Sequence, residues 1–201
     1  MPAAAIPGCA RRLPSMEFAG AGHDVAMDYF PPSLDNRRRG NSMDATIKRK
    51  TLRLLSNGVY ILTSRCGDQL GAATVTWISQ ASFRPPLLMA ALRNESNVYR
   101  CLAASRVAAL HIVGSHQKSI AQKFFSPTRD AQGELNGEPF SDGATSAPIL
   151  ENLPDYLECK VIDIRENPGD HAIVLFEVVE ASFQAEIDPL TVADSPWEYG
   201  G

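Results

Sequence analysis

After Gly58 the hydrophobic pattern of this chain changes period, and that change limits the possible folds more than any other feature. Before it, Ile47, Thr51, Leu54 and Leu55 recur at helical spacing, between Asp44, which suits an N-cap, and the stop signal Asn57-Gly58. After it come short β-branched runs separated by turn residues: Val59 to Ser64, the turn Cys66-Gly67-Asp68-Gln69, then Leu70 to Ile78. Pro85-Pro86 precedes an apolar run from Leu87 to Leu92, which reads as a buried strand. Further strands are expected at Val107 to Val113, Tyr156 to Arg165 and His171 to Phe183, the last two joined by Glu166-Asn167-Pro168-Gly169-Asp170. Two helical stretches interrupt the series. Asn94 to Ser105 places Val98, Cys101 and Leu102 on one face, and Gln117 to Phe125 forms a shorter helix. Six strands with short inserted helices and no βαβ rhythm predict a small antiparallel barrel, not a doubly wound sheet.

Two regions stand outside this series. Residues 1–43 hold Pro2, Pro7, Pro14, Pro31 and Pro32, several glycines and the basic run Arg37-Arg38-Arg39, with no sustained period. They read as a disordered tail, its basic run a solvated charge cluster, ahead of a folded domain over 44–201. Met16, Met27 and Met43 are possible alternative starts. The stretch from Ser126 to Ala147 is polar, turn-rich and marked by Asn136-Gly137; it is expected as a long ordered loop of the kind that forms functional lids.

With 44% hydrophobic residues the folded part can bury a substantial core. Lys and Arg total 19 against 23 Asp and Glu, a net charge of −4, which argues against a nucleic-acid binder. No uninterrupted apolar run approaches the roughly 18 residues of a membrane helix, and no secretory signal is visible. Cysteines at 9, 66, 101 and 159 contain no C-x-x-C pair. They suit half-buried thiols in a reducing cytoplasm better than a zinc site or a disulfide framework.

The usual catalytic fingerprints are missing. Gly20-Ala21-Gly22 lacks a third glycine, and the chain has no P-loop, no H-E-x-x-H and no G-x-S-x-G. His111 and His116 are five apart across a strand end, a spacing that suits core or surface roles, so no metal site is expected. Chemistry in such a chain has to come from a bound cofactor. The segment from Gly71 to Leu87 is the most informative: small and hydroxylated residues lead through Thr74, Thr76 and Trp77 to a polar turn and the Pro-Pro stop. Small side chains would let a flat ring lie against the backbone, though a plain Ser/Thr-rich edge strand gives the same pattern. Next, Arg93-Asn94-Glu95-Ser96-Asn97 opens a helix with a guanidinium, a hydroxyl and free N–H groups. This suits a phosphate monoester, though on pattern alone a plain Ser or Asn helix cap is the preferred reading.

Together, GAATVTWISQASFRPPLLMAAL, RNESNVYRCLAAS, VAALHIVGSHQKSIAQKFF, LECKVIDI and GDHAIVLFEVVEA resemble, in order and spacing, the flavin-reductase-like family of the FMN-binding split barrel; SPWEYGG resembles the ending of one of its subgroups. The resemblance covers about 44–201. It implies a six-stranded antiparallel Greek-key barrel that dimerises with FMN at or near the interface. It implies that Thr74, Thr76 and Trp77 line the flavin ring, that Gln80, Ala81, Ser82 and Phe83 wrap its edges, and that Arg93, Asn94 and Ser96 take the phosphate. It places His171 beside the nicotinamide, on a tight Gly169-Asp170 turn expected to project its ring outward, with Asp170 fixing its orientation. The activity implied is NADH- or NADPH-dependent flavin reduction, with a flavin-dependent monooxygenase or another redox protein as recipient. The alternative is a flavoredoxin-like FMN electron carrier that does not oxidise NADH or NADPH; a third possibility is a non-enzymatic flavin or haem binder.

Overall fold

The computed structural model describes residues 43–131, 133–166 and 168–200; the expected tail over 1–43 lies outside them but for Met43. Helix α1 (Ala45–Leu52) leads into strands β1 (Tyr60–Cys66), β2 (Gln69–Val75), β3 (Ile78–Phe83) and β4 (Pro86–Arg93). Then follow α2 (Asn97–Ser105), β5 (Val107–Ile112), α3 (Lys118–Lys123), the short strands β6 (Asp130–Ala131), β7 (Glu134–Leu135), β8 (Glu138–Asp142) and β9 (Pro148–Leu150), and finally β10 (Tyr156–Glu166) and β11 (His171–Ser182). Seven strands form one sheet in the order β2-β1-β5-β10-β11-β4-β3, antiparallel throughout.

The expected barrel is present, with one strand more than the sequence pattern suggested. The run Leu70 to Ile78 does not continue as one strand: it breaks at Thr76 and Trp77, between β2 and β3. Before the break the chain pairs with β1; after it, with β4. The Ile78 N–H turns back to the Thr76 carbonyl at 3.1 Å, while the Trp77 carbonyl accepts from the Ala91 N–H at 2.9 Å. Because β2 and β3 are the two outer strands of the sheet, this two-residue corner brings its edges together. That is why Thr76 and Trp77 stand where the barrel opens.

Inside the barrel, Leu62, Leu88, Ala90, Leu92, Leu110, Val174 and Phe176 pack against Val98, Tyr99 and Leu102 of α2. The helix approaches β2 so closely that a Cβ on Gly71 would lie 2.7 Å from the Val98 Cα and 2.8 Å from the Asn97 carbonyl oxygen. Residue 71 therefore has no room for a side chain, and its absence sets the first turn of α2 against β2. Ser96, the cap of that helix, stays beside the corner as a result.

The stretch expected as a long lid is a meander of four short strands, β6 to β9. Leu135 and Leu150 are fully buried in a second cluster with Ile61, Val113 and Phe124, so the meander belongs to the core. Three buried polar groups fasten it. Glu158 accepts from the Ala144 and Thr145 N–H groups and the Thr145 hydroxyl at 3.0, 2.7 and 2.6 Å, the Thr63 hydroxyl donates to the Pro148 carbonyl at 2.6 Å, and His111 receives the Leu150 N–H at 3.0 Å. The apolar side of α1 differs from expectation in another way. The helix expected to run to Leu55 ends at Leu52, and Ile47, Leu54 and Leu55, at helical spacing in the sequence, are 64, 82 and 65% exposed. No described helix is long and apolar enough to cross a membrane.

Candidate functional site

Where the barrel edges meet, a two-lobed cleft opens. Ala73, Thr74, Thr76, Arg93 and Tyr199 line both lobes. The first lobe adds Trp77, Ala91, Ser96 and His171; the second, a cavity of about 400 Å³, adds Phe124, Phe125, Ser195, Trp197 and Glu198. Each wall follows from the fold: β2 and its corner, the end of β4, the capped start of α2, the first residue of β11, and the segment 190–200.

Six residues expected to serve flavin or nicotinamide line this cleft: Thr74, Thr76, Trp77, Arg93, Ser96 and His171. His171 is the direct cross-strand partner of Arg93. Its Nδ1 lies 2.7 Å from Asp170 Oδ1, and that hydrogen bond holds the Asp170 carboxyl below the usual carboxylate range, so Nδ1–H donates to an ionised acceptor. The tautomer leaves Nε2 for another partner. The expected outward projection is not found, because the His171 side chain is only 11% exposed and packs beneath Trp77, ring centroids 4.6 Å apart. A ring surface that large is better covered by its neighbour than left in water.

The stretch from Arg93 to Ser96 caps the helix and faces the cleft with its two ends. Ser96 is a true cap: its hydroxyl accepts from the Tyr99 N–H at 3.3 Å and donates to the Arg93 carbonyl at 2.8 Å, while also facing the cleft. The Arg93 guanidinium makes no hydrogen bond or ion pair among the described residues. Thr76 Oγ1 and Asn94 Oδ1 are buried without a partner. Asn94 lines neither lobe, but Thr76 and Arg93 line both. Buried polar atoms are almost always satisfied, so the Thr76 orphan at the cleft corner fits a ligand with its own polar edge, and the unpaired guanidinium fits an anionic group. Thr74 offers less than expected, since its hydroxyl donates to the Ala121 carbonyl at 2.6 Å.

Gln80, Ala81, Ser82 and Phe83 do not line the cleft. They lie on β3, the outer strand, where the Ser82 hydroxyl accepts from the Arg84 N–H and Phe83 is 88% exposed. Conversely, Phe125, Trp197 and Tyr199 help build the site without having been singled out as site residues. Trp197 meets Phe125 edge-on at 4.8 Å, and Tyr199 meets Trp77 at 5.9 Å. The available signal was an aromatic pair, Trp197 and Tyr199, set between Pro196 and Gly200.

Residues 52–198 match the family model described as flavin reductase like domain. The chain is 30% identical to diflavin flavoprotein A 1 of Synechocystis sp. over 141 residues, 68% of this chain and 24% of that protein. It therefore spans about a quarter of that relative's length. It is also 30% identical to an NADH:FMN oxidoreductase of Rhodococcus qingshengii over 128 residues, 63% of this chain and 65% of that one. Among solved structures, the homologue of nitrilotriacetate monooxygenase component B from Mycobacterium thermoresistibile superposes with a TM-score of 0.63 at 22% identity, covering 73% of this chain and 80% of its own.

Proposed function

The chain belongs to the flavin reductase like domain family, and on that premise we propose that it is an oxidoreductase that holds FMN in the two-lobed cleft and takes electrons from NADH or NADPH. The observation that supports this reading is the coincidence, around one cleft, of an unpaired guanidinium with the buried Thr76 hydroxyl, which has no protein partner. FMN would supply the hydride and electron chemistry, which explains the absence of a nucleophile or metal motif. The protein's part is binding and orientation. Arg93 and Ser96 at the start of α2 hold the phosphate, Thr76 satisfies a polar atom of the flavin, and Trp77 gives its ring an apolar face. His171, oriented by Asp170, positions the nicotinamide through Nε2.

Arg93→Ala should weaken FMN binding by about ten-fold or more, since a charge-assisted hydrogen bond contributes on the order of 1.5–3 kcal/mol. Riboflavin, which lacks the phosphate, should bind wild type and variant nearly equally in a fluorescence-quenching titration. Equal losses for both flavins would assign Arg93 to the fold instead.

The reading includes a homodimer. Along β4 and β11, inward Leu88, Ala90, Leu92, Val174 and Phe176 alternate with Leu87, Met89, Ala91, Ile173 and Leu175 on the outer face. This outer apolar strip runs towards Arg93 and His171, and β3 with Gln80 to Phe83 lies beside it. A second copy covering the strip would bring those four β3 residues near a flavin, which their own cleft does not. Light scattering should give twice the chain mass, and Met89→Glu, which sets a charge in the strip, should yield monomers with weakened FMN binding. A wild-type monomer holding FMN at full affinity would refute this. The recipient of the electrons is proposed to be a separate redox protein, a monooxygenase being one such partner.

One observation favours the alternative of an FMN electron carrier that does not use NADH or NADPH. Trp77 covers the His171 ring, so a nicotinamide reaches that ring only if Trp77 tilts away.

A further inference from the structure

The segment 190–200 forms one wall of the cleft, and it is held in two different ways. As far as Trp197 the barrel holds it. The Val59 N–H donates to the Leu190 carbonyl at 2.8 Å, the Leu190 N–H to Val113 at 2.7 Å and the Val192 N–H to Asn57 at 2.8 Å, and Trp197 packs on Phe125. Beyond Trp197 the hydrogen bonds that hold the segment among the described residues come from one distant side chain. Arg53, in the turn after α1, donates through Nη1 to Glu198 Oε2 at 2.9 Å and through Nε to the Gly200 carbonyl at 3.0 Å. These two bonds fall on either side of Tyr199. Gly200 has φ +85°, a left-handed conformation that favours glycine, and so can turn its carbonyl back to the guanidinium. Tyr199 in turn lines both lobes of the cleft and sets its ring against Trp77.

We propose that Arg53 is a positioning residue: by clipping residues 198 and 200 it holds the Tyr199 ring across the junction of the two lobes, and so sets how long FMN stays bound. The inference rests on the flavin reading of the cleft. Arg53 itself lines neither lobe, so its influence on a flavin has to pass through Tyr199. An exposed ion pair alone contributes little, but the fork also fixes a backbone carbonyl, and both bonds hold one short segment in one place. Without the clip, residues 198–200 lose their anchor and the ring no longer confines what lies beneath it.

The test is the FMN dissociation rate of the full chain, read as the recovery of flavin fluorescence after dilution, for wild type, Arg53→Ala, Tyr199→Ala, the double variant and Arg53→Lys. Arg53→Ala should release FMN roughly ten-fold faster, in line with the loss of two hydrogen bonds of which one is charged at both ends, and Tyr199→Ala, which removes the ring itself, at least as fast. The double variant should be no faster than Tyr199→Ala, because both act through the same ring. Arg53→Lys, which can restore one contact but not the fork, should fall between. An unchanged rate in Arg53→Ala, or single effects that multiply in the double variant, overturns the clip while leaving the flavin reading intact. A wild-type protein that binds no FMN overturns both.

Discussion

His171→Ala is expected to slow reduction of bound FMN by NADH by roughly a hundred-fold while dithionite reduces it at the wild-type rate. The imidazole is held on three sides: by its Asp170 hydrogen bond at 2.7 Å, by Trp77 at 4.6 Å between ring centroids, and by its place opposite Arg93 in the β4–β11 ladder. A group fixed so closely is suited to positioning a donor ring, and an error of about 1 Å in such positioning can cost roughly a hundred-fold in rate. Its role is orientation, since hydride transfer to flavin needs no proton from it at that point. Asp170→Asn, which keeps the ring but weakens its anchor, should slow the reaction less, and in the His171→Ala background it should add nothing. FMN content should be retained, because the proposed phosphate contacts lie on Arg93 and α2. A variant that matches wild type at both limiting and saturating NADH would remove His171 from the site.

Acid is expected to destabilise the fold well above the carboxylate range, through a histidine that takes no part in the cleft. His111 is fully buried, and burial pushes its pKa down to about 4, against the opposing influence of its bond to Ile61 and the nearby Glu158 carboxylate. Its Nε2 accepts from the Leu150 N–H, so Nδ1–H donates to the Ile61 carbonyl and the ring is neutral. Adding a proton would set two N–H groups face to face in the core. The unfolded chain takes up that proton near pH 6.5 and the folded chain only near pH 4. Between those values the unfolded state binds more protons, so stability falls as pH falls. Linkage puts the loss at about 2 kcal/mol between pH 7 and pH 5, and on the order of 3 kcal/mol in full. Urea unfolding at the two pH values measures it. In His111→Leu, less stable at neutral pH because the Leu150 N–H is left without an acceptor, this part of the acid slope should vanish. A slope as steep as wild type would assign the effect to other groups.

The strands, the inserted helices and the barrel class were legible because period and turn residues are local properties. The β-branched run Val59 to Ser64 forms, from Tyr60, a strand buried on both faces, and Val98, Cys101 and Leu102 face the core from one side of α2. The break at Thr76 and Trp77 was not legible, because each half of that stretch has strand character and only the choice of partner, β1 or β4, divides it. The 126–147 stretch was read as a loop since its strands are two to five residues long and its burial depends on distant partners such as Glu158. At the site, Arg93 was singled out from local chemistry and His171 through the family resemblance; both line the cleft, and the ladder makes them neighbours. Tyr199 was missed as a site residue because its part in the cleft depends on Arg53, 146 positions earlier in the chain. The exposed side of α1 has the same kind of cause, since its pattern announces burial without saying against what.

The most direct test of the central claim is to load the protein with FMN, exclude air, add NADH or NADPH and follow the visible flavin absorbance. The account predicts that at least one of the two nicotinamides bleaches the yellow colour and that admitting oxygen restores it. A protein that stays yellow with both, yet bleaches with dithionite, would contradict the reductase and leave the FMN electron carrier in its place.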